Sequence, residues 1–210
     1  MDNTLQVIDP AQAPGGKISP NPQSVFRIDE YNALMTGNLH GRFRENTHRG
    51  HNFGVCTIAI GGQAISVGYA TTYTGLYLYN PAYSGYVASL NCITTALLVA
   101  EVAPAPLLIG RVEGAGTVAE TSSLTPFSCS FGPAAQPASA MHTGYAATLT
   151  TLSAKWPLNG LGKTADRAKD QSGPIWIDGG FEVLPGQCIA LVAVTAVTGF
   201  WGFYWDEIPQ

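Results

Sequence analysis

Residues 181–209 read FEVLPGQCIALVAVTAVTGFWGFYWDEIP, and the punctuation is that of β-structure. Leu184-Pro185-Gly186-Gln187 places Pro and Gly where a type II turn needs them. Cys188 to Val197 carries no charge and many β-branched residues, which predicts one long strand. Thr198-Gly199 predicts a second reversal, and Phe200 to Trp205 a final aromatic strand. In the long strand Cys188, Ala190, Val192 and Val194 share one face. Ile189, Leu191, Ala193 and Val197 share the other, with Thr195 among them. Both faces are apolar, so both are expected to be covered. The expected covers are the protein's own second sheet on one side and a neighbouring subunit on the other.

Working outward, the composition suits a protein with little free surface. Only 11% of the 210 residues are charged, against ~25% in an average globular chain. The net charge is −4 with no basic tract, so nucleic acid is not an expected partner. The opening MDNTLQVIDP has no basic and apolar leader pattern, and no stretch approaches the ~20 apolar residues of a membrane helix. Cys56, Cys92, Cys129 and Cys188 are far apart and each sits among apolar or small residues. They read as buried free thiols of a chain made in the cytoplasm.

Residues 1–24 contain Pro10, Pro14, Pro20 and Pro22, which exclude a helix and predict an extended arm. Leu5, Val7 and Ile8 give that arm an apolar stretch to lay on a neighbour. Residues 25–52 read as a connecting segment. It ends in the polar run HGRFRENTHRGH, where His48 and His51 lack a second pair of ligands to complete a metal site. From residue 53 to 210 the pattern is β throughout. Gly61-Gly62 predicts a two-residue hairpin between Val55–Ile60 and Ala64–Ala70. Asp178-Gly179-Gly180 predicts another, and Asn80-Pro81 closes a strand at Leu76–Tyr79. Even spacing with long loops predicts an all-β, jelly-roll-like β-sandwich preceded by the extended N-terminal arm.

Nothing assembles into a catalytic set. Gly160-Leu161-Gly162-Lys163-Thr164 ends like a phosphate-binding loop, but Pro157 occupies the place of its leading Gly. Glu101, Glu113, Glu120, Asp178 and Glu182 are the acid–base candidates, and Glu101 is the one placed in an apolar strand. His142 reads as an edge residue. The expectation is a protein that is not an enzyme and takes no cofactor or metal. The aromatic residues are more suggestive. Tyr69, Tyr73, Tyr77, Tyr79, Tyr83 and Tyr86 fall within eighteen residues, and Phe200, Trp201, Phe203, Tyr204 and Trp205 close the chain. Half are expected in the core and the alternate set at an interface or groove, where a glycan could stack on the tyrosines.

Leu76-Tyr77-Leu78-Tyr79-Asn80-Pro81-Ala82-Tyr83-Ser84-Gly85-Tyr86, together with the Pro185-Gly186 turn and the terminal Trp205-Asp206-Glu207-Ile208-Pro209, resembles structural proteins of tailed-phage virions. The resemblance covers about forty residues. It implies a capsid cement (decoration) protein with a jelly-roll body, made in the host cytoplasm and carried on the virion. Such a protein is often trimeric and binds the major capsid protein. The residues expected at subunit contacts are Leu5, Val7, Ile8, Ile189, Leu191, Val197, Tyr77, Tyr79, Trp201 and Trp205. The alternative is a carbohydrate- or receptor-binding module of a phage tail or fibre.

Overall fold

A computed structural model describes residues 47, 50–65, 71–98, 105–113, 116–130, 137–161 and 173–210. The chain divides into two compact units, Met1–Glu45 and Asn46–Gln210, and every described residue belongs to the second. The arm, with Leu5, Val7 and Ile8, lies outside the described residues. So do Tyr69, Glu101, His48 and residues 162–164.

Twelve strands follow: β1 (Asn52–Cys56), β2 (Gln63–Ile65), β3 (Thr72–Tyr79), β4 (Tyr86–Leu97), β5 (Ala105–Val112), β6 (Val118–Leu124), β7 (Phe127–Ser128), β8 (His142–Leu149), β9 (Leu152–Leu161), β10 (Gly173–Val183), β11 (Cys188–Ala193) and β12 (Val197–Pro209). They form two antiparallel sheets. The first runs β10-β4-β12-β1-β7, with β2 also beside β12. The second runs β6-β8-β3-β11-β5-β9. The pairing is nested: β1 with β12, β3 with β11, β4 with β10, β5 with β9. A chain folded double in this way and rolled so that alternate pairs fall in opposite sheets is a jelly roll, and the expected fold class is what the structure has.

Two of the crossovers between sheets, β3 to β4 and β10 to β11, are stitched by one residue. Asn80, fully buried, receives the Gly186 N–H on its carbonyl and gives its own N–H to Gln187 (2.8 and 2.9 Å). Its amide donates to Tyr86 and Val183 carbonyls, both at 2.8 Å. Pro185-Gly186 forms the predicted turn, with Gly186 at φ +80° and Gln187 N–H on the Leu184 carbonyl.

Three local expectations are corrected. The run Cys188–Val197 is broken: β11 stops at Ala193 and β12 starts at Val197, so the reversal falls at 194–196 and Thr198-Gly199, expected to reverse the chain, lies inside β12. Val55–Ile60 and Ala64–Ile65 do not pair as a hairpin, and the rest of the expected return strand, 66–70, lies outside the described residues. Residues Thr57–Ile60 are a 3₁₀ turn, and β1 and β2 each pair with β12. Asp178-Gly179-Gly180 is not a hairpin either. Asp178 and Gly179 take positive φ inside one strand, β10, which bulges there against β4.

The main core lies between the sheets. Leu76, Leu78, Leu107, Ile109, Ile189, Leu191 and Ala193 of the second sheet meet Phe53, Val55, Leu90, Ile93, Trp201, Phe203 and Trp205 of the first. A second core lies on the opposite face of the second sheet. Cys188, Ala190 and Val192 pack there with Tyr73, Tyr77, Val112, Ala147, Leu149 and Leu152. Its origin is topological. β8 and β9 stand four strand spacings apart in the sheet order, ~19 Å if the sheet were flat. Yet only Thr150 and Thr151 join them, a link that spans at most about 11 Å. The sheet therefore curls on itself. The β5–β9 ladder ends at Val112–Leu152, turns a corner, and continues as the β6–β8 ladder from Val118–Leu149. Hydrogen bonds from Glu113 N–H to the Thr151 carbonyl and from Thr150 N–H to the Thr117 carbonyl, both 3.1 Å, hold the corner. Gly116 sits inside it, where a Cβ would collide with Thr151, Val112 and the Thr150 carbonyl. This folded ribbon covers the outer face of β11, so both apolar faces of that strand are covered within one chain.

Candidate functional site

The outer face of the first sheet is built by strand alternation. Phe53 and Val55 of β1 and Trp201, Phe203 and Trp205 of β12 point into the core. Gly54, Cys56, Gly202 and Tyr204 therefore point out. The register aligns a complete transverse row, Trp176–Cys92–Tyr204–Gly54–Phe127, across five strands. The next row is Pro174–Thr94–Gly202–Cys56, and Ala96 pairs with Phe200 beyond it. None of these residues carries a formal charge.

The row alternates large and small. Gly54 is small because a Cβ there would strike the rings of Phe127 and Tyr204 at 2.8 Å. Those rings meet edge to face with centroids 6.1 Å apart. Trp176 is 60% exposed and Phe127 36%. The groups beneath stay neutral. Burial lifts the Cys92 thiol from 9.0 to about 11, with Asp178 adding to the rise. Burial and then Asp206 lift Cys129 likewise to about 11. The Tyr204 hydroxyl is raised by burial and by the neighbouring thiols. Such thiols are poor nucleophiles at neutral pH.

Of the residues expected at subunit contacts, Tyr77, Leu191, Val197, Trp201 and Trp205 are buried in the chain's own cores, and Ile189 nearly so. The assignment of Ile189, Leu191 and Val197 to an outer face is inverted: they face the main core. Tyr79 is half-buried, edge-on to His142. The tyrosines do not make one platform. Tyr73 and Tyr77 are inside, and Tyr86 is half-buried. Tyr83 stands 99% exposed on the crossover. Trp176 and Phe127 were not singled out by sequence reasoning, although Ile175 and Ile177 packing inward imply that Trp176 points outward.

The acidic candidates separate. Glu113 pairs with Arg111 at 3.3 Å and accepts from Ser153. Asp178 lies in the β10 bulge and Glu182 is exposed on the same strand. Glu120 is brought to His142: its Oε2 lies 2.8 Å from His142 Nδ1, and its Oε1 accepts from Tyr77 Oη at 3.2 Å. The two border a groove of about 330 Å³ with Ser123, Leu124, Thr125, Pro126, Met141 and Thr143. Two buried acids had no sequence signal beyond their place in an aromatic strand. Asp206 accepts from Asn52 Nδ2 at 2.8 Å. Glu207 accepts from the Ala140 N–H at 3.0 Å, from Trp205 Nε1 at 3.2 Å and from Ser139 Oγ. It pins residues 139–140 against β12. Among the described residues no three His, Cys, Asp or Glu gather as metal ligands, and no helix is long and apolar enough to cross a membrane.

No protein-family model, curated protein or solved structure matches this chain.

Proposed function

We propose that this is a non-catalytic structural protein of a viral particle, a capsid cement or decoration protein, which attaches by the outer face of its first sheet. The observation that carries the reading is the charge-free row Trp176–Cys92–Tyr204–Gly54–Phe127. Exposed aromatic residues set among small neutral ones, with no charged residue in the row itself, suit the centre of a protein interface. The viral setting comes from the likeness of Leu76–Tyr86 and the terminal strands to tailed-phage virion proteins. The occupant of the face is then the major capsid protein.

Size supports attachment in many copies. The row crosses four strand spacings, ~19 Å, and residues 200–204 add roughly 13 Å along β12, giving roughly 250 Å² per copy. A stable interface buries ~800 Å² on each partner. One copy therefore holds weakly through this face alone, and stable attachment needs contacts between copies or with the particle through other surfaces as well. Self-association into a trimer loses its original support, since Ile189 and Leu191 are core residues, and any contact between copies falls to other surfaces.

Cosedimentation with particles stripped of this protein tests the reading. The wild type is expected to pellet with the particles. Trp176→Asp should lose at least ~90% of that binding, which is ~1.4 kcal/mol, while its circular dichroism stays unchanged. Equal binding by wild type and variant would remove this face from the mechanism.

A further inference from the structure

The groove at the β6–β8 edge lies in the other sheet and is not part of the attachment face. Its central feature is an oriented histidine. As a carboxylate Glu120 can only accept, which places the proton between it and His142 on Nδ1. Tyr77 fixes the carboxylate from the other side. Burial, and then Glu120 itself, hold the Tyr77 hydroxyl well above its ordinary range, so it remains a donor. Tyr79 meets the imidazole edge-on at 6.1 Å and 79° and sets its plane. His142 Nε2 is left as an acceptor, and no described residue bonds to it. The pair is open, with side chains 53% and 29% exposed. A surface hydrogen bond this wet adds little to stability, so its three-part alignment is not explained by holding β6 to β8, which already share a ladder.

The surroundings define a ligand with one apolar face and a polar, uncharged edge. Leu124, Pro126 and Met141 supply an apolar floor, and Ser123 and Thr125 supply hydroxyls on the rim. The Thr143 hydroxyl is already committed to the Leu124 carbonyl at 2.9 Å. An anionic ligand would be repelled by Glu120. A cationic one would compete with His142 and Tyr77 for the Glu120 oxygens, and among the described residues no second carboxylate lines the groove to hold it. A neutral ring carrying hydroxyls satisfies all of these conditions: a C–H face for the floor, and an O–H to donate to Nε2. We propose that this groove binds one pyranose ring of a glycan, with His142 as the ligand-contacting base and Glu120 and Tyr77 as positioning residues.

Isotope-labelled full-length protein, titrated by NMR with the methyl glycosides of glucose, galactose, mannose and N-acetylglucosamine, tests this. Concentrations up to about 10 mM cover the ~1 mM affinity of a single-ring contact. At least one glycoside is expected to shift the signals of Leu124, Thr125 and His142. His142→Gln should weaken that binding about tenfold, and Thr125→Val, on the rim, measurably. Glu120→Gln should weaken it while also changing the tautomer signature of the His142 ring nitrogens, which a merely structural Glu120 would not do. If His142→Gln does not fold, Thr125→Val and Glu120→Gln decide alone. No shift at these residues with any of the four glycosides would overturn the proposal. So would shifts confined to Trp176 and Tyr204, or binding equal in wild type and variants. None of these outcomes bears on capsid attachment.

Discussion

The hydroxyl of Tyr73 donates to the carbonyl of Leu191 at 2.6 Å, joining positions 118 residues apart. The same hydroxyl lies 2.9 Å from the Leu76 carbonyl, so one proton serves two buried acceptors. The bond replaces a missing rung. The ladder between β3 and β11 ends at Tyr77–Ala190, and Tyr73 reaches back across the sheet to the next carbonyl. Burial keeps the phenol protonated far above its ordinary range. Tyr73→Phe preserves the packing and deletes the donor. It is expected to cost about 1–3 kcal/mol, the penalty of an unpaired buried carbonyl. In a chain of this size that lowers Tm by roughly 2–4 °C per kcal/mol. Urea and thermal unfolding of the variant check it.

Leu191 separates the two cores' claims on β11. Its side chain packs with Trp201 and Leu76 in the main core and is fully buried. Leu191→Asp places a carboxylate there without a partner, and the chain is expected to unfold rather than to dissociate. Trp176→Asp, on the outer face, should leave the melting temperature within a few degrees of wild type. Calorimetry of both variants decides it, and a folded Leu191→Asp protein would contradict the core assignment.

Gly116 marks the corner of the ribbon. Gly116→Ala inserts a methyl among Thr151, Val112 and the Thr150 carbonyl, and overpacking of this kind costs about 1–3 kcal/mol. The damage should stay local at first. Amide exchange at Val118 and Leu149, beside the corner, is expected to accelerate more than at Leu191 or Phe203. Uniform acceleration would mean that the ribbon and the jelly roll open as one unit.

Alkali should unfold the protein in a defined window. Cys92 and Cys129 titrate near 11 in the folded chain against 9.0 ordinarily, and burial raises Tyr73, Tyr77 and Cys188 as well. Between the two thiol values the folded chain holds protons that the unfolded chain has lost. Stability is therefore complete below pH 9 and falls as pH rises from 9.0 to about 11. Melting curves across that range should show a falling Tm. The part of the tyrosinate absorbance that belongs to the buried Tyr73 and Tyr77 should rise together with unfolding, not before it.

The jelly roll was legible because its signals are local. Pro185-Gly186 and Asn80-Pro81 mark the β10–β11 and β3–β4 crossovers, and strand alternation marks the faces. The long apolar run at 188–197 correctly said that two faces are covered. It could not say by what, because the cover is the β5–β9 ribbon turning at Gly116 and Thr150-Thr151, a pairing of residues more than thirty positions apart. A neighbouring subunit was the simpler cover to imagine, and that inverted the placing of Ile189 and Leu191. Asp178-Gly179 carries hairpin chemistry but spends it on a bulge, since β10 has β4 along both its halves. The groove was hidden for a related reason. Glu120 and His142 were each noted alone. They meet across a ladder that pairs Glu120 with Ala147, with bulges on both strands at Ser122 and Ala146 between them, which neither residue's neighbours reveal.

The place of β12 in its sheet has a consequence for how the protein is made. This strand, the last in the chain, lies in the middle of the first sheet, between β4 and β1. While it is untranslated, β4 and β1 have no partner along their shared seam and present open edges that invite mispairing. The roughly 110 residues from Leu97 to Pro209 take about 6–20 s to synthesise at ~5–20 residues per second. For that interval the nascent chain is a half-sheet waiting for its centre. Folding of this sheet therefore waits on the synthesis of β12, and crowded expression is where misassembly should first be seen.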